Sequence, residues 1–206
     1  MSTSGARPAP TRSAQPGRRP VTSRAEISAV AIDLFTSRGF EETSVDDVAD
    51  AVGIARRTLF RYYPSKNAIA WGDFDSHLAE MRALLADIPE DLPIAEALRQ
   101  ALISFNEVPR TELAGHRRRM SLLLGVPALQ AHSMLMYAEW RQVIAEFCAH
   151  RLGLTENDHL PQTIAWLCLG TALAAYDQWL THPDTDLQAL IVAGSRTLAQ
   201  GVDALS

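Results

Sequence analysis

Apolar residues recur at helical spacing along most of this chain, whereas the strict alternation of apolar and polar residues that marks a surface strand is hard to find. The first clear repeat starts after Ser23, which together with Glu26 forms a capping-box pattern. Ile27, Val30, Ala31, Leu34 and Phe35 then recur every three or four residues before Gly39. The pattern predicts an all-α fold that opens with a capped amphipathic helix.

Glycine, proline and capping residues divide the rest of the chain into further helices. Ser44 is placed to cap a short helix, with Asp46 and Asp47 near its positive end, and Gly53 stops that helix. Pro64 disfavours a helical conformation at the residue before it, so the next short helix ends there. The helices predicted after the first cover about residues 44–53, 55–62, 65–86, 93–107, 110–124, 127–152, 161–181 and 185–204.

The composition, with 47% hydrophobic and 21% charged residues among 206, is that of a soluble globular protein. The two longest uncharged runs, 120–138 and 160–176, are shorter than the roughly 20 apolar residues of a spanning helix and contain glycine and proline, so no membrane partner is expected. Cys148 and Cys168 lie in apolar stretches without a C-x-x-C spacing. They predict no disulfide framework, metal site or cofactor, and a reducing cytoplasm is the simplest setting.

The net charge of −5, taken over the whole chain, argues against a nucleic-acid partner, but its distribution reverses that inference. Residues 1–20 hold four arginines and no acid, residues 21–71 hold six basic and seven acidic residues, and residues 72–206 hold nine basic and seventeen acidic residues. Between Gly53 and Gly72 there are four basic residues and no carboxylate. We therefore expect a flexible basic arm (1–20), a domain with a basic patch (21–71) and an acidic domain (72–206).

The second and third predicted helices are joined by a turn of three to four residues that contains Gly53, which is a helix-turn-helix arrangement. Glycine suits this turn because it adopts a positive φ without a steric penalty. The major groove of DNA admits an α-helix, and residues at the N-terminus of that helix reach the base edges. Arg56 and Arg57 occupy those positions here, so double-stranded DNA is the expected partner.

Three stretches resemble the N-terminal domain of the TetR family of transcriptional regulators. They are GFEETS at 39–44, TSVDDVA at 43–49 and GIARRTLFRYYPSK at 53–66, and the resemblance covers about residues 22–71. Within that family, residues 67–82, 126–130 and 173–180 are most similar to the TetR-type regulators associated with mycofactocin biosynthesis clusters. The resemblance implies a non-enzymatic, ligand-responsive protein, most simply a repressor, that binds a pseudo-palindromic operator as a homodimer.

The same resemblance implies roles for individual residues on the DNA-binding side. Thr43 and Ser44 would bind a phosphate at the start of the second helix, although simple N-capping accounts equally well for Ser44. Arg56 and Arg57 are candidates for reading guanine, and at least one of them is expected to contact phosphate alone. Thr58 would touch a thymine methyl or a phosphate, and Phe60, which replaces the tyrosine common in the family, would pack on a thymine methyl or in the core. Phosphate contacts are expected from Tyr62 and Lys66, and the arm residues Arg18 and Arg19 would reach along the duplex.

The acidic domain is richer in large apolar residues than a DNA-binding module needs, and the resemblance implies a small-molecule pocket there. Each such residue fits either the core or the wall of that pocket. Those considered are Phe105, Met120, Leu122, Leu123, Met134, Leu135, Met136, Trp140, Phe147, Trp166 and Leu169. His116, Arg117, Arg118 and Arg119 form a basic run that is either a solvated helix face or a mouth for an anionic head group such as the phosphates of a fatty acyl-CoA.

The last two predicted helices are those that the TetR family packs into an intermolecular four-helix bundle. The residues suited to this homodimer interface are Trp166, Leu169, Gly170, Leu173, Trp179, Leu190 and Leu198. Two-fold symmetry would set two recognition helices about one turn of DNA apart.

Two other classes of function, an enzyme and a lipid-binding protein, compete with a regulator. A helical di-metal enzyme needs repeated Glu-x-x-His pairs, and the chain offers only Glu146 and His150, spaced by four, with no nucleophile elbow or phosphate-binding loop. A helical lipid or acyl-CoA carrier, or a membrane-surface protein without DNA function, is the alternative that the apolar domain and basic patch leave open.

Overall fold

The computed structural model describes residues 23–200, and within that range the chain forms ten α-helices and no strand, which confirms the predicted all-α fold. The basic arm with Arg18 and Arg19, and the end of the last predicted helix, lie outside the described residues. The helices are α1 (Arg24–Arg38), α2 (Val45–Val52), α3 (Arg56–Tyr62), α4 (Lys66–Trp71), α5 (Phe74–Asp87), α6 (Ile94–Phe105), α7 (Leu113–Gly125), α8 (Pro127–Leu152), α9 (His159–Thr181) and α10 (Leu187–Gln200).

The helix starts predicted from capping residues are confirmed. The side chain of Ser23 accepts a hydrogen bond from the backbone of Glu26, and the Glu26 carboxylate accepts one in return from the backbone of Ser23. Ser44 and Asp47 form the same reciprocal pair at the start of α2. These pairs satisfy backbone amides that have no partner within the helix.

The predicted continuous helix over 65–86 is wrong, because the chain breaks at Gly72 into α4 and α5. Gly72 is buried and has a φ of +71°, a conformation that side chains disfavour. A Cβ atom at this position would lie 3.0 Å from Nη1 of Arg119 and 3.4 Å from Oγ of Ser28. The break therefore lets α1 and α7 approach the α4–α5 junction closely.

A single hydrophobic core runs through the described chain. Its N-terminal part holds Ile27, Phe35, Val48 and Leu59, which fix α1, α2 and α3 against one another. Its C-terminal part holds Leu102, Leu129, Trp140, Ile144, Cys168 and Ile191, between α6, α8, α9 and α10.

The two parts are joined where α1 and α4 pack against α7 and α8. Polar contacts cross this junction: Arg118 Nη2 lies 3.1 Å from Oδ1 of Asp33, and the Asn67 amide donates to the carbonyl of Ala128 at 3.4 Å. Among residues 23–200, no helix is long and apolar enough to cross a membrane. The same range contains no group of three or more His, Cys, Asp or Glu side chains that could hold a metal ion.

Candidate DNA-binding surface and effector cavity

α2 and α3 form a helix-turn-helix, and the turn between them depends on Gly53. Gly53 has a left-handed backbone, with φ +76° and ψ +35°, and closes α2 by donating to the carbonyls of Ala49 and Asp50. Val48, Ala49 and Leu59 are buried, and α2 packs against both α1 and α3. One face of α3 is thereby fixed in the core and the opposite face is left exposed.

The exposed face of α3 carries the arginines that the sequence predicted for base recognition. Arg56 and Arg57 are both exposed, and Phe60 beside them is 41% exposed, so the core alternative for Phe60 is not the one the fold adopts. Arg56 Nη1 lies 2.6 Å from Oδ2 of Asp46, and its guanidinium lies 5.5 Å from the centre of the Phe60 ring. Thr58 is half-buried, and Arg57 makes no ion pair with a described residue.

The start of α2 is occupied by its own side chains. Thr43 is fully buried and its hydroxyl donates to the carbonyl of Gly39 at 2.7 Å, so this side chain stabilises the turn and does not lie at the surface. The Ser44 hydroxyl is exposed and bonds to the Asp47 carboxylate, whose pKa these Ser44 hydrogen bonds lower. The N-capping role that accounted equally well for Ser44 is therefore the contact observed.

Tyr62 and Lys66 follow the exposed face of α3, and both are half-buried. The Lys66 ammonium donates to the carbonyl of Phe40 at 2.5 Å and lies 4.1 Å from the centre of the Phe40 ring. The neighbouring Tyr63 is buried, and its hydroxyl donates to the carbonyl of Arg24. The lysine therefore ties the start of α4 to the turn after α1.

A cavity of about 860 Å³ lies between the helix-turn-helix part and the rest of the chain. Residues of α1, the α4–α5 junction, and α5 to α9 all contribute to its wall. Eight of the residues that the sequence suggested for the pocket line it, namely Phe105, His116, Arg118, Arg119, Met120, Leu123, Trp140 and Leu169. Arg117, Met136 and Trp166, which the sequence also suggested for the pocket, do not.

Much of the cavity wall is aromatic, and most of these side chains were not singled out from the sequence. Ring centres are 4.8 Å apart for Trp71 and Phe74, 6.2 Å for Phe74 and Phe105, and 6.0 Å for Phe105 and Trp140. Tyr137 lies edge-on to Trp71 at 5.7 Å. Trp71 and Phe74 flank the break at Gly72, so their position follows from a turn that the helical pattern did not predict.

The basic run 117–119 does not form a common anion site. Arg117 donates to the carbonyl of Trp179 at 2.7 Å and stacks on the Trp179 ring, away from the cavity. Arg118 is exposed and paired with Asp33, and both residues lie at the edge of the cavity. Arg119 is half-buried in the cavity wall, where its guanidinium donates to the Ser28 hydroxyl at 3.0 Å. The three arginines therefore face three different surroundings.

His116 lies in the cavity wall, where its Nε2 is 2.8 Å from the Tyr176 hydroxyl. Burial, with smaller contributions from the nearby Arg119 and His77, lowers the pKa of His116 from 6.5 to about 4. Burial also raises the pKa of Tyr176. The pair is therefore neutral at pH 7.

We expect the neutral state of His116 to make the fold sensitive to mild acid. When the pH is lowered from 7 to 5, the unfolded chain takes up a proton at His116 while the folded chain does not. The free energy of unfolding therefore decreases over this range, and His116 accounts for about 2 kcal/mol of the decrease. Urea unfolding at the two pH values measures the loss in the wild type and in His116→Gln. The variant should lose about 2 kcal/mol less over this range; equal losses in the two proteins would contradict the prediction.

The outer face of α9 is apolar and lacks a covering element in the described chain. Leu167 is 51% exposed and Trp166 is 50% exposed, with the Arg141 guanidinium 3.6 Å from the Trp166 ring centre. Gly170 is exposed on the same helix, and nothing lies within 4 Å of where its Cβ would be. Of the other residues predicted for a dimer interface, Leu173, Leu190 and Leu198 are half-buried, whereas Leu169 and Trp179 are buried in the core of the chain itself.

Comparison with known proteins matches both parts of the chain. Residues 27–70 match the family model described as bacterial regulatory proteins, tetR family, and residues 92–203 match the MftR C-terminal domain. MftR of Mycobacterium tuberculosis, which is named as a transcriptional regulator of mycofactocin biosynthesis, is 50% identical over 190 residues that cover 92% of this chain and 96% of MftR.

Solved structures share the fold. The fatty acid degradation regulator FadR from Bacillus halodurans has a TM-score of 0.63 at 16% identity, covering 90% of this chain and 98% of its own. FadR of Thermus thermophilus, a TetR-family repressor solved in complex with lauroyl-CoA, has a TM-score of 0.57 at 24% identity, covering 87% of this chain and 94% of its own. With both domain models matched and a relative at half identity over nearly the whole length, this chain belongs to the TetR family of transcriptional regulators, which are not enzymes, and its C-terminal domain is of the MftR type.

Proposed function

We propose that this protein is a repressor that binds a pseudo-palindromic operator as a homodimer and is released from it by a small anionic amphiphile of the fatty acyl-CoA type. The observation that carries the proposal is the position of the cavity. Its wall includes α1 and the end of α4 from the DNA-binding part and α7 to α9 from the C-terminal part. A ligand that fills the cavity contacts both parts at once. Its affinity can therefore differ between two arrangements of the DNA-binding part relative to the C-terminal part, and binding then shifts the protein toward the arrangement with the higher affinity.

The exposed face of α3 supports the DNA-binding role. Arg56 and Arg57 enter the major groove, where bidentate hydrogen bonds to guanine discriminate against other bases. To contact DNA, Arg56 must first break its ion pair with Asp46. This costs little, because an exposed ion pair of this kind stabilises a protein by at most about 1 kcal/mol. Thr58 and Phe60 contact the thymine methyl groups or backbone nearby, and Ser44, Tyr62 and Lys66 contact phosphates.

The exposed face of α9 supports the homodimer. A contiguous apolar face centred on Leu167, with Gly170 allowing close approach, suits a two-fold contact between identical helices. In such a dimer the two α3 helices lie one turn of DNA apart, at about 34–36 Å, and read successive major grooves. The arm residues Arg18 and Arg19 extend the contact along the backbone. The protein acts in the cytoplasm, where the bacterial chromosome lies.

The cavity wall supports the class of effector. A volume of about 860 Å³ with a cluster of aromatic side chains in its wall suits a long apolar chain, and most small-molecule pockets fall between about 300 and 1,000 Å³. The wall also contains five carboxylates, so an acidic head group must lie on the side of the basic residues: the carboxylates are Asp33, Asp73, Glu80, Glu107 and Glu112. The Arg119 guanidinium offers the cationic group that an acidic head group needs. FadR of Thermus thermophilus was solved with lauroyl-CoA, which gives the first ligand to try.

Binding to DNA is tested with a duplex from the chain's own promoter region. We expect tight binding to this duplex, weaker binding to a scrambled duplex, and affinity that falls steeply with salt as phosphate contacts release counterions. Anionic lipid vesicles are the matched comparison, because the alternative of a lipid carrier or membrane-surface protein requires binding there. Binding to vesicles with no preference for any duplex would contradict the proposal.

The effector class is tested by heating the protein with acyl-CoAs of increasing chain length. A ligand at 100 times its Kd adds about 2.7 kcal/mol to the stability of the folded state, so Tm should rise by about 5–10 °C for the chain length that fits. Coenzyme A without an acyl chain is the control and should give a smaller shift. No shift at any chain length would remove this ligand class from the proposal.

A further inference from the structure

Arg119 is a half-buried cation in the cavity wall that has no carboxylate of the described chain within ion-pair distance. No carboxylate oxygen of the described residues lies within 4.0 Å of its guanidinium, and its one hydrogen bond is to the neutral hydroxyl of Ser28. Burial lowers the pKa of Arg119, while the charges of Tyr63 and Glu112 act weakly in the opposite direction. A buried charge is costly unless it is paired, so a cavity wall with this arginine favours a ligand that brings the missing negative charge.

The partner of Arg119 belongs to the DNA-binding part and connects two of its helices. Ser28, on α1, is fully buried, and its hydroxyl donates to the carbonyl of Ile69 on α4 at 2.8 Å. Nη1 of Arg119 also lies 3.0 Å from the Cβ position of Gly72, at the break between α4 and α5. The chain of contacts from Arg119 through Ser28 to Ile69 therefore links α7 to α1 and to the helix that follows α3.

We propose that Arg119 is a latch that an anionic ligand opens: a carboxylate or phosphate oxygen entering the cavity takes the guanidinium away from Ser28 and so removes this polar contact between α7 and α1, leaving the exposed pair of Arg118 and Asp33 as the other one. The inference rests on the proposed function, since it assumes that the cavity holds the effector, and it adds how the effector acts. A charged acceptor forms a stronger hydrogen bond to a guanidinium than a hydroxyl does, so the exchange favours the ligand. The apolar part of the ligand then lies along Phe105 and Trp140.

The latch predicts that a ligand's charge, and not only its apolar chain, decides whether DNA is released. Lauroyl-CoA and dodecanoate supply phosphate and carboxylate oxygens respectively, while dodecanol has the same chain length and no charge. In the wild type we expect at least one of the two anions to weaken operator binding about 10-fold or more, and dodecanol to bind without weakening it. Release by dodecanol at equal occupancy would overturn the latch, and the two anionic arms identify which head group opens it.

Ser28→Ala removes the acceptor of Arg119 and the donor to Ile69 together. This variant should bind the active anion within about 3-fold of the wild type, while the ligand changes its operator affinity by less than about 2-fold. Ser37→Ala is the matched control, because the Ser37 hydroxyl lies on the same helix and bonds only within it. Release of Ser28→Ala from DNA to the same extent as the wild type would overturn the latch and leave the proposed function intact.

Arg119→Gln tests the same step from the ligand side. This variant should bind the active anion more weakly, by about 10-fold or more, and bind dodecanol as the wild type does. Arg99→Gln is the control, because it removes an ion pair that lies within α6. Unchanged binding of the anion would overturn the latch. If no ligand alters operator binding by the wild type, the effector part of the proposed function fails and the latch fails with it.

Discussion

Replacing Arg56 and Arg57 together with alanine should lower the affinity for the operator by roughly 1,000-fold. Both side chains lie exposed at the start of α3, and each bidentate contact with a guanine is worth about 1–3 kcal/mol. The loss should be confined to the specific duplex, so the ratio between specific and scrambled duplexes falls with it. Fluorescence anisotropy with both duplexes at several salt concentrations measures the two quantities.

Two further variants separate base recognition from general electrostatics. Lys66→Ala should weaken binding to all duplexes about equally and reduce the salt slope by about 1, because a phosphate contact carries no sequence information. Arg82→Ala removes an exposed arginine paired with Glu146 on a different surface, and should leave both affinities unchanged. Operator affinity within 3-fold of the wild type in the Arg56 and Arg57 double variant would show that α3 does not read the bases.

Placing arginine at Gly170 should convert the dimer to a monomer and weaken operator binding by about 100-fold or more. The site has open space around the Cβ position, and replacing glycine within a helix removes a cost of about 1 kcal/mol, so the monomer itself should not lose stability. A charged side chain on the outer face of α9 prevents the close approach of the partner helix. Loss of the second half-site then removes an avidity of about 10²–10⁴.

Gly125→Arg is the matched control for this prediction. Gly125 is also helical, exposed and free of neighbours within 4 Å of its Cβ position, but it lies at the end of α7 and not on α9. Sedimentation velocity gives the oligomeric state, and anisotropy gives the affinity for one and two half-sites. A Gly170→Arg protein that remains dimeric would place the interface elsewhere on the molecule.

Local chemistry explains what could be predicted from the sequence. Ser23 and Ser44 precede acidic residues at the spacing of a capping box, and Gly53 supplies the left-handed turn, so helix starts and the helix-turn-helix follow from short-range rules. The exposed arginines of α3 follow as well, because Leu59 alone on that short helix is buried and fixes which face points outward.

The break at Gly72 and the composition of the cavity depend on contacts distant in sequence. In the sequence, Gly72 lies within a helical repeat that can accommodate a glycine, so no helix break is predicted there. Its backbone conformation depends on the close approach of Arg119 and Ser28, which are 47 and 44 positions away in the sequence. For the same reason the run 117–119 reads as one charged cluster, although successive helical positions point about 100° apart and the three guanidiniums meet different partners. Leu169 and Trp179 likewise lie at helical positions that suit a dimer interface, but both side chains are buried in the core of the chain itself.

A ligand in the cavity and DNA at α3 should each weaken the binding of the other. Thermodynamic linkage requires the factor by which the ligand weakens DNA binding to equal the factor by which DNA weakens ligand binding. Isothermal titration of lauroyl-CoA into the free protein and into its operator complex, together with anisotropy of the operator at saturating ligand, gives both factors on one sample. We predict equal factors of about 10 or more; ligand binding with the same Kd in the presence and absence of operator would contradict the claim.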